Sequence, residues 1–304
     1  MIASAPSANS LGAWAIALRV RTLWIAVVPV LVADAFAWRA HAFDPVPASL
    51  ALVVAVLLQA ITNLQNDVGY TLRGGEHVDR VGPRIGLPRA TATGLLQVAD
   101  VRRAIAFATI ATLAAGLPIV LRAGWPAGLI GLAALGAALG YMGGPWPIAY
   151  GPFGELVVLV CFGWMAVGAT YVVQAGSLSV EVMLAASSTG LFAAAVLALN
   201  NLRDAAHDRA SGRRTFAVLT GPRAARGLFV TALALPYALV FVIVGVTQRL
   251  WFVLPLLTLP VAVLLLRPMR VSVDGGALTR MLLATVQLQL AFGLLLALAA
   301  VLAH

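Results

Sequence analysis

Apolar residues fall in long runs separated by charged or Gly/Pro-rich breaks, and the runs predict nine helices near 22–39, 47–66, 103–121, 124–142, 155–175, 180–200, 227–247, 250–266 and 281–302. Each approaches the roughly twenty residues a helix needs to cross about 30 Å of hydrocarbon, and none shows the period-two alternation of a membrane barrel strand. The breaks are unequal: two of them, about 67–102 and 201–226, are long and collect charge. The pattern reads as an all-α integral membrane protein, one polytopic domain over 1–304, with pseudo-repeats about 22–142 and 155–266 and a ninth helix 281–302.

Composition narrows this further. Hydrophobic residues make up 62% and charged residues 10% of the chain, against about 25% charged in soluble domains, which excludes soluble, disordered and disulfide-stapled classes. The single cysteine, Cys161, lies in an apolar run and reads as a buried structural thiol. A net charge of +9 would suggest nucleic acid in a soluble chain, but all 20 basic residues are arginines, and 17 of them fall in segments predicted to share one side. Only Arg39, Arg122 and Arg249 fall on the other. By the positive-inside rule this predicts a cytoplasmic N-terminus, an external C-terminus and no nucleic-acid partner. The N-terminus lacks the basic start and cleavage site of a secretory signal and reads as a retained cytoplasmic segment.

Acids gain nothing from that rule, yet six of the eleven lie in the two long breaks. Asn63 and Asp67 end the second predicted helix, Asn200 and Asp204 end the sixth, and both pairs are offset by 137 residues. Residues four apart share a helix face, and Asp208 extends the second set. Helix capping accounts for one such cluster; two in register point to repeated units enclosing a cavity. Oxygen ligands on facing helices with arginines nearby suit Mg²⁺ and a diphosphate, so an amphiphile with a diphosphate head and an apolar tail fits. No His/Cys ligand set, glycine-rich nucleotide loop or nucleophile elbow occurs; His41, His77, His207 and His304 are dispersed and read as solvated loop residues. Tyr141 and Tyr150 read either as cavity wall or as interfacial belt, and Asp34 as an acid solvated on the outer side.

Four stretches, Arg19–Leu23, Asn63–Asp67, Val78–Arg84 and Asn200–Gly221, together with GGPWPIAYGPFGE at 143–155, resemble the UbiA superfamily of intramembrane aromatic prenyltransferases. Within it the likeness is to the branch that prenylates 1,4-dihydroxy-2-naphthoate in menaquinone synthesis. The resemblance implies a nine-helix bundle in a bacterial cytoplasmic membrane, with a central cavity and two aspartate-rich motifs that bind Mg²⁺. The implied reaction moves a polyprenyl chain from its diphosphate to the naphthoate, with decarboxylation, giving demethylmenaquinol. Asn63, Asp67, Asp204 and Asp208 would be the catalytic and metal-binding set. Asn66, Asp79, Arg80, Asn200, Asn201, Arg203, Arg213, Arg21 and Tyr141 would bind substrate, and Arg19, Arg21 or Arg80 could meet an acidic acceptor. Arg213 stands where the family usually has lysine, and Glu76 where aspartate is frequent.

One departure changes the chemistry. Tyr70 occupies the place of the second acid of the first motif, and a neutral phenol is a poor Mg²⁺ ligand. Either Glu76 and Asp79 supply the missing charge, or the first metal site is weaker, or the protein has another substrate or no activity. A different acceptor (4-hydroxybenzoate, a tetrapyrrole or a secondary-metabolite phenol) and a non-enzymatic transporter stand as alternatives.

Overall fold

A computed structural model describes residues 6–74, 89–270 and 274–304, which contain helices and no strand. Ten helices are numbered in chain order. Helix α1, Leu11–Leu18, was not legible as a separate element; Ser10 caps it by accepting from the Ala13 N–H. Arg19 then takes a left-handed conformation (φ +50°), and a 3₁₀ turn, Val20–Thr22, leads into α2, Trp24–Arg39. The two segments meet at a bend of 46°. Asp44 caps α3, Pro45–Leu72, which begins with proline, where a missing N–H costs nothing.

Helices α4, Val98–Ala123, and α5, Trp125–Gly140, follow. Next come α6, Gly154–Ala175, and α7, Val180–Ala210. Within α6 the segment Val160–Ala169 is π-helical. Helix α8, Phe216–Thr247, is kinked at Gly221 (φ +83°) ahead of Pro222. Helix α9, Leu250–Met269, opens in 3₁₀ turns over Leu250–Thr258, and α10, Gly275–Leu302, is capped by Asp274.

Seven of these helices are long and apolar enough to cross a membrane, and the bent pair α1–α2 makes an eighth among the described residues. The nine-crossing expectation is met only to that extent, because α5 has 16 residues and is about 24 Å long. Apolar and helical boundaries also differ. The runs end near 66 and 200, but α3 continues to Leu72 and α7 to Ala210. Polar groups in those last turns find partners, as between Asp67 and Thr91, Tyr70 and His207, and Arg203 and Asp204. The two polar clusters therefore project from rigid helix rather than from loops.

Helix α7 is the axle: 78% of its apolar window is buried, against 22% for α3 and 17% for α4. Phe192 of α7 packs against Phe292 (4.8 Å) and Tyr237 (6.2 Å), joining α7, α8 and α10 in one core. A smaller core joins α1, α3, α4 and α5 through Ala13, Ile61, Leu64, Val101 and Leu135. Gly163 and Gly190 let α6 and α7 cross backbone to backbone; a Cβ on Gly190 would lie 2.5 Å from the Leu159 carbonyl.

Candidate functional site

A cavity of about 1170 Å³ runs between the two groups of helices. Its long wall is apolar, built from α4, α5 and α6 and including Ile110, Leu117, Leu132, Val158, Phe162 and Met165. Its other end is polar and gathers side chains from the bend before α2, from α3 and from α7.

The α7 cluster faces this end. Asp204 receives two bonds from Arg203, both 2.7 Å, and Arg203 also donates to Asn200 Oδ1 at 2.8 Å. Asp208 is 1% exposed: Oδ1 accepts from Arg213 at 3.0 Å, while the buried Oδ2 has no partner. Arg213 reaches back because Gly212 turns the chain at φ +74°, and the Arg213 N–H closes on the Asp208 carbonyl at 2.8 Å. The Arg213 guanidinium also contacts Met142 Sδ and sits 5.1 Å from the Tyr150 ring, which Arg73 approaches at the same distance. Asn201 donates to the buried Glu155 at 2.9 Å.

The α3 cluster is arranged otherwise. Asn63 lines the cavity but is engaged twice, donating to the Leu18 carbonyl at 2.7 Å and accepting from Gln59. Asp67, 2% exposed, does not line the cavity. Its carboxylate accepts from the Ala90 and Thr91 N–H groups, both 2.8 Å, and from the Thr91 hydroxyl at 2.6 Å. Asn66 lines the cavity and accepts from Arg89. Tyr70 lines it too, and its hydroxyl is 2.9 Å from His207 Nε2. These two residues are 137 apart, the offset of the repeat, so equivalent positions of the two halves touch across the cavity. His207 is therefore a helical site residue, correcting its reading as a solvated loop histidine. Its repeat partner was the available signal.

Asn63, Asn66, Tyr141, Asn200, Arg203, Asp204 and Asp208 are thus brought to one chamber. Asn201 and Arg213 line a small polar recess of about 10 Å³ that shares Asn66, Tyr141 and Asn200 with the main cavity. Arg21 is exposed on the 3₁₀ turn, while Arg19 lines the cavity. Tyr150 does not line the cavity, and its ring is approached by both Arg73 and Arg213. Glu76, Asp79 and Arg80 lie outside the described residues. Cys161 is half-buried and lines the apolar wall, which corrects its reading as a buried structural thiol. Asp34 is not merely solvated either, since Gln174 donates to it at 2.8 Å.

No group of three or more His, Cys, Asp or Glu side chains is gathered to hold an ion among the described residues. A divalent ion that took most of its ligands from a bound phosphate and from water would still fit beside α7. The buried, unpartnered Asp208 Oδ2 and the cavity-lining Asp204 supply the right donors. Asp67 offers no comparable vacancy, its two oxygens already accepting three bonds.

The profile of the UbiA prenyltransferase family matches residues 26–277. The chain is 37% identical over 220 residues to a 1,4-dihydroxy-2-naphthoate octaprenyltransferase of Escherichia coli, covering 70% of each protein. It is 35% identical over 273 residues to the Mycobacterium tuberculosis protein of the same name, covering 88% of this chain and 89% of that one. Its fold resembles a UbiA homolog from Archaeoglobus fulgidus bound to GPP and Mg²⁺, with a TM-score of 0.63 at 15% identity over 94% of this chain and 99% of that one.

Proposed function

The chain belongs to the UbiA prenyltransferase family, and from that premise we propose that it transfers a polyprenyl chain from its allylic diphosphate to 1,4-dihydroxy-2-naphthoate in a bacterial cytoplasmic membrane. One observation carries the reading: a single cavity joins a rim of acids, amides and arginines to an apolar passage along α4, α5 and α6. A diphosphate head fits the first part and its hydrocarbon tail the second. The naphthoate is the named acceptor of the E. coli and M. tuberculosis relatives. In this reading α5 completes nine crossings, and the arginine distribution sets the polar end and the N-terminus in the cytoplasm.

Mg²⁺ is the ion proposed for Asp204 and Asp208, where it would draw charge from the departing diphosphate. Arg203 fixes the Asp204 carboxylate with a two-pronged grip, and Arg213 orients Asp208. Arg19 lines the cavity within electrostatic reach of Arg203 and Asp204 and would neutralise phosphate charge as the allylic C–O bond breaks. The bonding pair leaves with diphosphate. The apolar wall keeps water from the allylic cation until the ring carbon bearing the carboxylate attacks it. Loss of carbon dioxide returns an electron pair to the ring, so the products are demethylmenaquinol, diphosphate and carbon dioxide. Asn66 and Asn200, from the two repeats, line the polar end together with Tyr141, and in this reading all three would bind substrate.

The test is incubation of the purified protein with Mg²⁺, a polyprenyl diphosphate and a panel of aromatic acids, with mass spectrometry of the products and an assay of released diphosphate. Prenylated, decarboxylated naphthoate is expected. Prenylation of 4-hydroxybenzoate in its place would overturn the acceptor, and no diphosphate release with any acceptor would overturn the enzyme.

A further inference from the structure

Asn63 lines the cavity, yet both ends of its amide are engaged by the protein. Its Nδ2 donates at 2.7 Å to the Leu18 carbonyl, 45 residues away in the chain, and its Oδ1 accepts from Gln59 at 3.2 Å. A carbonyl can only accept, so Leu18 dictates which way the amide faces. Leu18 is the last residue of α1, in the turn where helix carbonyls lack partners within the helix. Asn63 therefore caps α1 from α3.

The next residue is Arg19, in the left-handed region at φ +50° and ψ +52°, a conformation that residues other than glycine seldom adopt. Its N–H turns back to the Ala15 and Ile16 carbonyls. Its own carbonyl accepts twice from Thr22, from the N–H at 2.7 Å and from the hydroxyl at 2.9 Å. With the Leu18 carbonyl held by Asn63, the peptide units before and after Arg19 are both anchored, and such anchoring is what sustains an uncommon backbone conformation. The consequence is where the side chain goes. Arg19 lines the cavity within electrostatic reach of Asp67, Arg203 and Asp204. A side chain swings with its own φ and ψ, so releasing the Leu18 carbonyl would re-aim the guanidinium.

We propose that Asn63 is a positioning residue: by donating to the Leu18 carbonyl it holds Arg19 in its left-handed conformation and keeps the guanidinium at the polar end, where it meets the diphosphate head. What the site requires of Asn63 is its N–H donor, and an oxygen in its place does not serve. The proposal rests on the prenyl diphosphate reading above.

The experiment measures, by calorimetry, binding of geranyl thiolodiphosphate as an unreactive analogue to the full-length protein in detergent at saturating Mg²⁺. Arg19→Gln should weaken binding about 10- to 100-fold, the loss of charged hydrogen bonds. Asn63→Ala and Asn63→Asp should each weaken it about tenfold, because neither can donate to Leu18, and neither should cost more than about threefold once Arg19 is already glutamine. An Asn63→Asp protein that binds within about threefold of the unmodified one would mark Asn63 as an oxygen ligand and overturn the proposal. Losses that multiply in the double variant, as general damage to the fold would give, overturn it too, as does an Arg19→Gln protein that binds normally. The Ala and Asp variants carry the cycle independently, so either decides if the other does not fold. Failure of the analogue to bind the unmodified protein would instead overturn the function reading itself.

Discussion

The two repeats set an asparagine and an aspartate at matching places on α3 and α7, yet the aspartates do different work. On α7 both acids line the cavity, each held by an arginine, with one oxygen of Asp208 left over. On α3 Asp67 is withdrawn from the cavity and bound by three donors. The helices are alike; the chain that returns past them is not. Ser211–Thr215 turns back tightly after α7 and delivers the Arg213 side chain to Asp208, whereas Ala90 and Thr91 lie directly against the end of α3 with their N–H groups donating to Asp67. A duplicated position on a helix therefore does not imply a duplicated role, because the partner is supplied by whatever segment covers it.

The sharpest way to break this contrast is to neutralise the acids one at a time. Asp208→Asn and Asp204→Asn should each lower prenyl transfer by about 10³-fold with the protein still folded, since preorganised charge at a departing group is worth that much; turnover and thermal unfolding in detergent are the paired readouts. Asp67→Asn should reverse the balance. Its amide would face donors, and the buried mismatch should cost on the order of 2 kcal/mol of stability, so the melting temperature falls more than a metal-ligand role would predict. An Asp67→Asn protein with unchanged melting and a 10³-fold loss of turnover would make the two repeats equivalent after all.

A smaller effect belongs to the seam between the halves. Tyr70→Phe removes one hydrogen bond and should cost about 1 kcal/mol. If the bond to His207 is what is lost, a double-mutant cycle with His207→Ala gives coupling of that order, while additive losses mean the rings merely pack. The smallest effect lies at the far end, where the Val46 N–H and then Arg122 hold the Asp44 carboxyl below its ordinary range. A lowered folded value stabilises the protein above the ordinary carboxylate range, near about 4, and that stability fades as the pH falls through the folded value. The melting difference between Asp44→Asn and the unmodified protein should therefore be present at neutral pH and vanish in strong acid.

The helices and both polar clusters were legible in the sequence because hydropathic runs and a constant offset survive without coordinates. What was not legible depends on contacts between distant segments. Asp67 looked like a ligand because nothing in its own helix says that Thr91 will cover it. Arg89 looked like one of many orientation arginines, and His207 like a solvated residue, until α3 and α7 were placed side by side. Helix α1 escaped notice for a local reason: it merges into the apolar run that follows, and only the left-handed Arg19 divides the two.

The π segment of α6 has its own reason to exist. Cavity-facing residues on this helix come in adjacent pairs every four positions, Val157 and Val158, Cys161 and Phe162, Met165 and Ala166, Ala169 and Thr170, then Val173. At 3.6 residues per turn, each step of four overshoots by about 40°, so four steps would wind the row about 160° around the cylinder and carry its far end away from the substrate. Wider turns over Val160–Ala169 unwind that overshoot and keep the row straight along the chamber. Deleting a single residue there would let the helix relax to ordinary pitch and swing everything beyond it by about 100°, closing the passage with the wrong face while leaving every polar group at the rim in place.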